Sequence, residues 1–486
     1  MIFYREKATI EQKNEVNEEI PLRHLKGSFM LCFWYMGSYM INERIRRIRK
    51  VDNMGFTAGQ EKAYFYMQSG YNIFLSGEAG TGKSFVLHQF INEQRNAGKN
   101  VLVCAPSGIA AIHVSGVTIH RAFQAPTEPI IRPPAKIPPT VEVADILVVD
   151  EISMCRIDLF DFIARTVQKA DNKRKKYGKL PIQVIVVGDF CQLPPVLLDK
   201  DKEILDEYYH EDIGNAYAFQ SKYWEKFQFK NIVLSDIVRQ KDMAFVRALN
   251  QARMGDDQCV AYLNKNSTKF PMSNGIYIYS TNRKVKELNA RQLDAIKMPL
   301  WRFESRERGI VNETDRMTER TLELKIGARV MMLTNDISNK WQNGSLGTIT
   351  NIRSEQISVH LDSGIDVNIK PYSWTIERYV VVEQKVGKNV VKVLEKEEIG
   401  AFEQFPIKLA YAITMHKSQG QTYDQANISP EAWAPGQLYV ALSRVKEISK
   451  MYLLSEIEKR HLLTAPEVKE FYQNIENDFS QMVLEF

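Results

Sequence analysis

The sequence predicts an α/β chain with two parallel-sheet units in series. Three observations carry this. Short β-rich apolar runs lie at 73–75, 101–104, 146–149 and 184–187, and each gives way to Ser, Pro, Asp or Gly within about two residues. Helix-period sequence separates most of them, as expected for parallel strands buried under helices. A second set of such runs appears at 275–280, 407–414 and 451–454. The length of 486 residues accommodates two units or more, since about 100–200 residues make a domain.

Composition is that of a folded chain. Hydrophobic residues make up 44%, charged residues 25% and aromatic residues 10%, which excludes a disordered, collagenous or disulfide-scaffold protein. The cysteines, Cys32, Cys104, Cys155, Cys191 and Cys259, are odd in number and form no CxxC pair. That predicts reduced, mostly buried thiols in a reducing compartment and no structural zinc. Lys and Arg number 64 against 59 Asp and Glu, a formal charge of +5. With so slight an excess, a nucleic-acid partner requires positive charge that is placed locally.

Residues 1–53 read as an accessory extension. Its apolar run at 28–41 is shorter than the roughly 20 residues that span a bilayer. A mixed-charge stretch precedes it, unlike the basic start of a signal peptide; an interfacial or partner-binding helix is the alternative. Residues 54–230 hold the first parallel set. Within them, 126–139 contains six prolines and should be stiff and extended. Lys173-Arg174-Lys175-Lys176 reads as a solvated loop or helix end, with a nuclear import signal as the alternative. Residues 231–455 hold the second set, interrupted at about 346–405 by a small all-β insertion. Strands at 357–361 and 365–369 there flank Asp362-Ser363-Gly364, and another pair flanks Gly387-Lys388-Asn389. Residues 456–486 end the chain as a helical tail.

The strongest motif is Gly77-Glu78-Ala79-Gly80-Thr81-Gly82-Lys83-Ser84, placed after the run at 73–75 and before helical sequence. Its glycines let backbone N–H groups wrap a triphosphate at a helix N-terminus. Lys83 can reach the β- and γ-phosphates, and Ser84 can ligate Mg²⁺. The run at 146–149 ends in Asp150-Glu151. Asp150 suits a hard Mg²⁺, and Glu151 suits the positioning and polarising of water. Together the two motifs point to hydrolysis of a bound nucleotide rather than mere binding. The next run ends in Gly188-Asp189-Phe190-Cys191-Gln192; Gln192 either senses the γ-phosphate or belongs to a turn capped by Asp189.

These segments, with Asp150–Met154 (DEISM) and Gly188–Val196 (GDFCQLPPV), resemble the petite-integration-frequency (PIF) family of superfamily-one DNA helicases. The likeness continues in order through Ala105-Pro106-Ser107-Gly108, Gly116-Val117-Thr118-Ile119-His120, Arg239-Gln240 and Tyr279-Ser280-Thr281-Asn282 with Val285 and Asn289. It extends through Ile326-Gly327-Ala328-Arg329-Val330-Met331 with Asn343-Gly344, then His416-Lys417-Ser418-Gln419-Gly420 and Tyr439-Val440-Ala441-Leu442-Ser443-Arg444. It covers about residues 56–454.

The resemblance implies two tandem RecA-like P-loop domains that sandwich ATP, a wedge insertion at about 124–140 and an SH3-like β insertion in the second domain. It implies that Gln60 reads adenine, that Gln419 and Gly420 line the nucleotide, and that Arg239 and Arg444 act as arginine fingers. Strand contacts fall to Ser107, Gly108, Thr118, His120, Thr281, Asn282, His416, Lys417 and Ser418. Phe123 fits a base-stacking position and a core position equally. The expected activity is an ATP- and Mg²⁺-dependent DNA helicase moving 5′→3′ on single-stranded DNA, binding mostly without regard to sequence. Candidate settings are repair, recombination, replication and telomere or G-quadruplex maintenance. The expected partners are single-stranded DNA, its duplex junctions and G-quadruplexes, with no membrane and a monomeric protein. A bacterial or phage-type chain would be cytoplasmic, and a eukaryotic one nuclear or mitochondrial. A RecD- or phage Dda-like helicase, an RNA helicase, and a DNA-stimulated ATPase that does not unwind are the alternatives.

Overall fold

Strands β1 (Ile73–Gly77), β2 (Val101–Ala105), β3 (Val117–Thr118), β4 (Ile146–Val149), β5 (Gln183–Val187) and β6 (Lys230–Leu234) pair in parallel, in the spatial order 3-2-4-5-1-6. The inner four are buried along their whole length, so they read as unbroken apolar runs. The two-residue edge strand β3 carries no such run, and β6 has only Ile232-Val233-Leu234, with Val233 exposed; neither was among the runs named above. The computed structural model describes residues 55–237, 240, 242–387 and 389–484. The apolar run at 28–41, Arg239 and Lys388 lie outside the described residues.

Helices cover both faces of this sheet. Helix Ile157–Lys176 buries Ile157, Phe160, Ile163, Ala164 and Val167, the spacing of one helical stripe. Its basic end is the expected solvated helix end at Lys173, Lys175 and Lys176, which are exposed. Arg174 is buried, bonded to the carbonyls of Leu180 and Ala144 and paired with Asp145, while Lys173 pairs with Glu142. The proline-rich stretch is fastened onto this helix. The Ile130 N–H donates to Asp158 at 2.7 Å, and Lys169 Nζ donates to the Pro134 carbonyl at 2.6 Å. Ile131, Arg132, Pro133, Ala135 and Lys136 stay exposed.

The second parallel sheet is interrupted. After β7 (Ile276–Tyr279) come β8 (Trp301–Glu304), β9 (Arg306–Gly309), β10 (Thr321–Leu324), β11 (Arg329–Met332), β12 (Leu346–Arg353), β13 (Gln356–Leu361), β14 (Asp366–Ile369), β15 (Tyr372–Val386), β16 (Asn389–Gln404) and β17 (Ile407–Leu409). The parallel sheet resumes with β18 (Ala412–Thr414), β19 (Ala426–Ile428) and β20 (Met451–Leu453), in the order 18-7-19-20. The run at 407–414 is therefore two strands. β17 pairs antiparallel with β11 and β18 pairs parallel with β7, because the chain changes sheets at Ala410-Tyr411. β structure also begins at Trp301, well before residue 346. β8 alternates Trp301-Arg302-Phe303-Glu304 over only four residues, too short a run to stand out, and β9 is charged and exposed throughout.

Strands β14-β13-β12-β11-β17 form an antiparallel sheet around Val330, Ile349, Ile357, Val359 and Phe405. β15 and β16 make one long hairpin, paired from Tyr372↔Gln404 to Val386↔Asn389 with one register shift between Ile376 and Glu377. It lies against the first unit. Tyr379 is buried in that unit's core, and its hydroxyl accepts from Arg95 at 2.9 Å. Asn100 accepts from the Leu394 N–H and donates to the Lys392 carbonyl.

The chain then returns. Helix Pro466–Leu484 packs Val468, Tyr472 and Ile475 into the core of the first unit. The Phe471 ring stacks on Phe219 at 4.4 Å, with Phe74, Phe190 and Trp224 around it. Burying one such aromatic side chain is worth about 3–5 kcal/mol against alanine.

Candidate nucleotide site and nucleic-acid face

The phosphate loop leaves the carboxyl end of β1 and enters helix Lys83–Asn96. Lys83 Nζ donates to the carbonyls of Gly77 at 2.7 Å and Glu78 at 3.0 Å. Burial holds this ammonium below the ordinary lysine value, against the opposing pull of Asp189 and Glu151. Gln60 is buried behind the loop. Its Nε2 donates to the Thr81 carbonyl at 2.9 Å, and its Oε1 accepts from the Thr57 N–H at 3.0 Å. Gly82 has φ +79, and a Cβ there would stand 2.4 Å from Gln60 Nε2; only glycine lets the amide reach the loop. The side chain expected to read adenine thus supports the loop in this conformation.

Asp150 and Glu151 follow β4. Burial, then mutual repulsion, raises the Asp150 pKa. Burial likewise raises that of Glu151, opposed by Lys83 and Arg444. Glu151 holds a left-handed backbone, φ 50 and ψ 47. For a residue with a side chain that costs about 1–3 kcal/mol, and such strain concentrates at working sites. The second unit reaches the same place. Gln419 Nε2 donates to Glu151 at 3.0 Å and to Gln192 Oε1 at 3.3 Å. Arg444 is buried, donating to the carbonyls of Val440, Ser418 and Gln421 and to the Ser443 hydroxyl. Gly420, beside Gln419, is exposed.

A second junction forms around Asp189. Arg253 of the second unit binds it through two nitrogens, at 2.8 and 3.1 Å. Burial alone would raise the Asp189 pKa, but the Arg253 guanidinium holds it below the usual carboxylate value. The Tyr472 hydroxyl lies 3.2 Å from the same carboxylate and 2.7 Å from Ser76 Oγ, and accepts from the Phe190 N–H. The Ala79 N–H of the phosphate loop donates to the Tyr439 hydroxyl at 3.1 Å. Gly436, with φ +73, sits where a Cβ would come within 2.2 Å of the Gln192 carbonyl. Neither Arg253 nor Tyr472 carries a sequence signal, because each acts only once the two units meet.

The strand-contact candidates divide. Ser107 and Thr118 cap helices Gly108–His113 and Ile119–Phe123, their hydroxyls accepting from Ala110 and Arg121. Burial, then Arg156, lowers the His120 pKa. Gly108 abuts the Thr314 carbonyl, and the adjacent Arg121 pairs with Asp315. Of the two readings of Phe123 the core one holds, and the strand contact expected of Ser418 fails. Phe123 is 1% exposed in the first unit's core, so its ring cannot stack on a base. Ser418 is 0% exposed and donates its hydroxyl to the Met415 carbonyl, which removes it from any strand.

In the second unit, Thr281 and Asn282 follow β7, while His416 and Lys417 follow β18. The structure adds two residues there. Trp433 is 61% exposed, and His416 stacks on it at 5.7 Å. Lys408, on β17, has its pKa lowered to about 8 by burial and by Lys417. An isolated Trp or Lys in sequence gives no hint of such neighbours.

One unit carries the phosphate loop and the other closes on it, so fold and site define a P-loop NTPase of two RecA-like units. The profile of the PIF1-like helicases matches residues 57–255. The chain is 30% identical over 469 residues to the ATP-dependent DNA helicase Pif1 of Bdellovibrio bacteriovorus, spanning 92% of this chain and 98% of that one. The crystal structure of Bacteroides sp. Pif1 in complex with ADP-AlF4 matches with a TM-score of 0.74 at 30% identity, covering 87% of this chain and 97% of that one. Bacteroides Pif1 bound to ssDNA matches at 0.62 and 31% identity over the same shares. The chain belongs to the PIF1-like helicase family. Among the described residues, no helix is long and apolar enough to cross a membrane.

Proposed function

We propose that this chain is an ATP-dependent DNA helicase that moves 5′→3′ along single-stranded DNA and separates the duplex ahead of it. Gln419 carries the reading. Its amide belongs to the second unit yet holds both Glu151 and Gln192 of the first. Whatever nucleotide lies against those side chains must therefore bias how the two units sit, which is what converts hydrolysis into movement.

Each residue has a part in that cycle. The Lys83 ammonium, now on the loop's own carbonyls, transfers to the β- and γ-phosphates. Glu151 holds and polarises the attacking water, and its strained backbone fixes the carboxylate in advance. Gln192 reports the γ-phosphate to Gln419. Arg444 and Arg239 supply positive charge to the developing transition state, a role worth about 10³–10⁵ in rate in phosphoryl transfer. A hard divalent ion fits the site. Ser84 and Asp150 offer oxygen donors, and among the described residues no side-chain cation forms an ion pair with the buried Asp150. Mg²⁺ held there by Ser84 and Asp150 would neutralise phosphate charge. The partners are single-stranded DNA and its junction with duplex, and the acting unit is a monomer.

Duplexes carrying a 5′ or a 3′ single-stranded tail test this, with Lys83→Ala as control. Unwinding from the 5′ tail alone is expected, lost in Lys83→Ala together with DNA-stimulated ATPase. Unwinding from the 3′ tail alone would overturn the polarity, and ATPase indifferent to DNA would overturn the motor.

A further inference from the structure

We propose that Trp433 is a base-stacking platform on the second unit, the point at which this motor grips the bases of its strand rather than the phosphates. The inference rests on the single-stranded DNA reading above and assigns a residue to it.

Three adjacent strands of the second sheet, β18, β7 and β19, deliver the parts at their carboxyl ends, where ligands of open α/β sheets sit. β7 leads into Ser280-Thr281-Asn282, β18 into His416-Lys417, and β19 toward Trp433. Trp433 is 61% exposed although its ring is held from two directions. The indole Nε1–H donates to the Ser280 carbonyl at 3.2 Å, and His416 lies against the ring with planes 24° apart. The Trp433 N–H also donates to Gln437 Oε1 at 3.0 Å. The indole has thus satisfied its polar atom and is fixed in orientation, while much apolar surface faces water.

An exposed tryptophan fixed in this way is poorly explained by packing, since burial is what its area favours. It suits a flat π-surface that must be ready before the ligand arrives. Burial lowers the His416 pKa, so near neutral pH the imidazole beneath the indole is uncharged. Lys284 is already paired with Glu431, so Lys417, exposed and next to His416 in the chain, is a cation available to a phosphate. A nucleobase on the indole, with its phosphate toward Lys417, matches this pattern. Every base has a π-face, so the contact requires no particular sequence.

The test measures binding of a single-stranded oligonucleotide to the full chain, intact or made abasic over its central nucleotides. Trp433→Ala should weaken binding to the intact strand about tenfold or more. Trp433→Phe should recover most of that, and the slope of log affinity against log salt should not change. The abasic strand should bind wild type and Trp433→Ala alike. Intrinsic fluorescence should be quenched on strand binding in wild type and much less in Trp433→Phe. Full affinity in Trp433→Ala, or an equal loss for intact and abasic strands, would overturn the platform while leaving the helicase reading standing. A wild-type chain that binds no single-stranded DNA would overturn both.

Discussion

Lys408 is half-buried on β17 with the Lys417 ammonium nearby, and the two effects bring its pKa to about 8. A strand phosphate set between the two lysines would favour the charged form, so binding takes up a proton. The sign follows directly. Strand affinity should be greatest below pH 8 and fall as the pH rises through 8, by about tenfold for one charge-assisted contact. Lys408→Gln should bind more weakly at pH 7 and show a flatter profile up to pH 9.5. A flat wild-type profile, measured by fluorescence anisotropy, would refute this. Lys408 was invisible in the sequence because its neighbour lies on a different segment. Phe123 was ambiguous there for the opposite reason: one aromatic in a five-residue helix, Ile119–Phe123, sets no periodicity to say which side faces the core. The phosphate loop and Asp150-Glu151 were legible because their chemistry depends on contiguous residues.

Among the elements, strands covered on both faces announced themselves, and strands wet on both faces did not. β4 is four buried aliphatic residues; β9 is Arg-Glu-Arg-Gly, exposed throughout, and is held by pairing with β16. Local pattern records burial, not hydrogen-bond partners. The proline-rich segment was legible as stiff, but its fastening was not, because Asp158 and Lys169 lie on a later helix. That fastening leaves 131–133 exposed, and a strand-separating role for the segment would put this stretch against the duplex. Replacing Ile131-Arg132-Pro133 by Gly-Ser-Gly should leave DNA-stimulated ATPase within about twofold while lowering unwinding of a 5′-tailed fork by about tenfold, a change near 1.4 kcal/mol in the strand-separating step. Unchanged unwinding would make the segment a connector. The substitution avoids Ile130 and Pro134, whose contacts with the first unit would otherwise confuse the result.

For the whole molecule, 64 basic and 59 acidic residues leave a charge of only +5, and among the described residues part of the basic set is paired at short range. Arg302–Glu323, Arg308–Glu398 and Arg378–Glu397 run across the β insertion. Basic residues exceed acidic ones by so few that a strongly basic DNA path is not expected, and strand binding should be only modestly salt-sensitive. Between 50 and 200 mM salt it should lose less than about a hundredfold, whereas six to ten phosphate contacts would cost about 10³–10⁵. A steeper slope in a salt titration would mean that the DNA path is far more basic than the net charge suggests. The return of helix Pro466–Leu484 to the first unit has a consequence for how the protein is made. Phe74, Phe190, Phe219 and Trp224 emerge from the ribosome long before Phe471, which closes over them. At roughly 5–20 residues per second, the nucleotide-binding unit waits tens of seconds with its aromatic centre open to solvent. It cannot finish folding until the second unit has been translated in full, so a stalled chain exposes the surface that chaperones and proteases recognise.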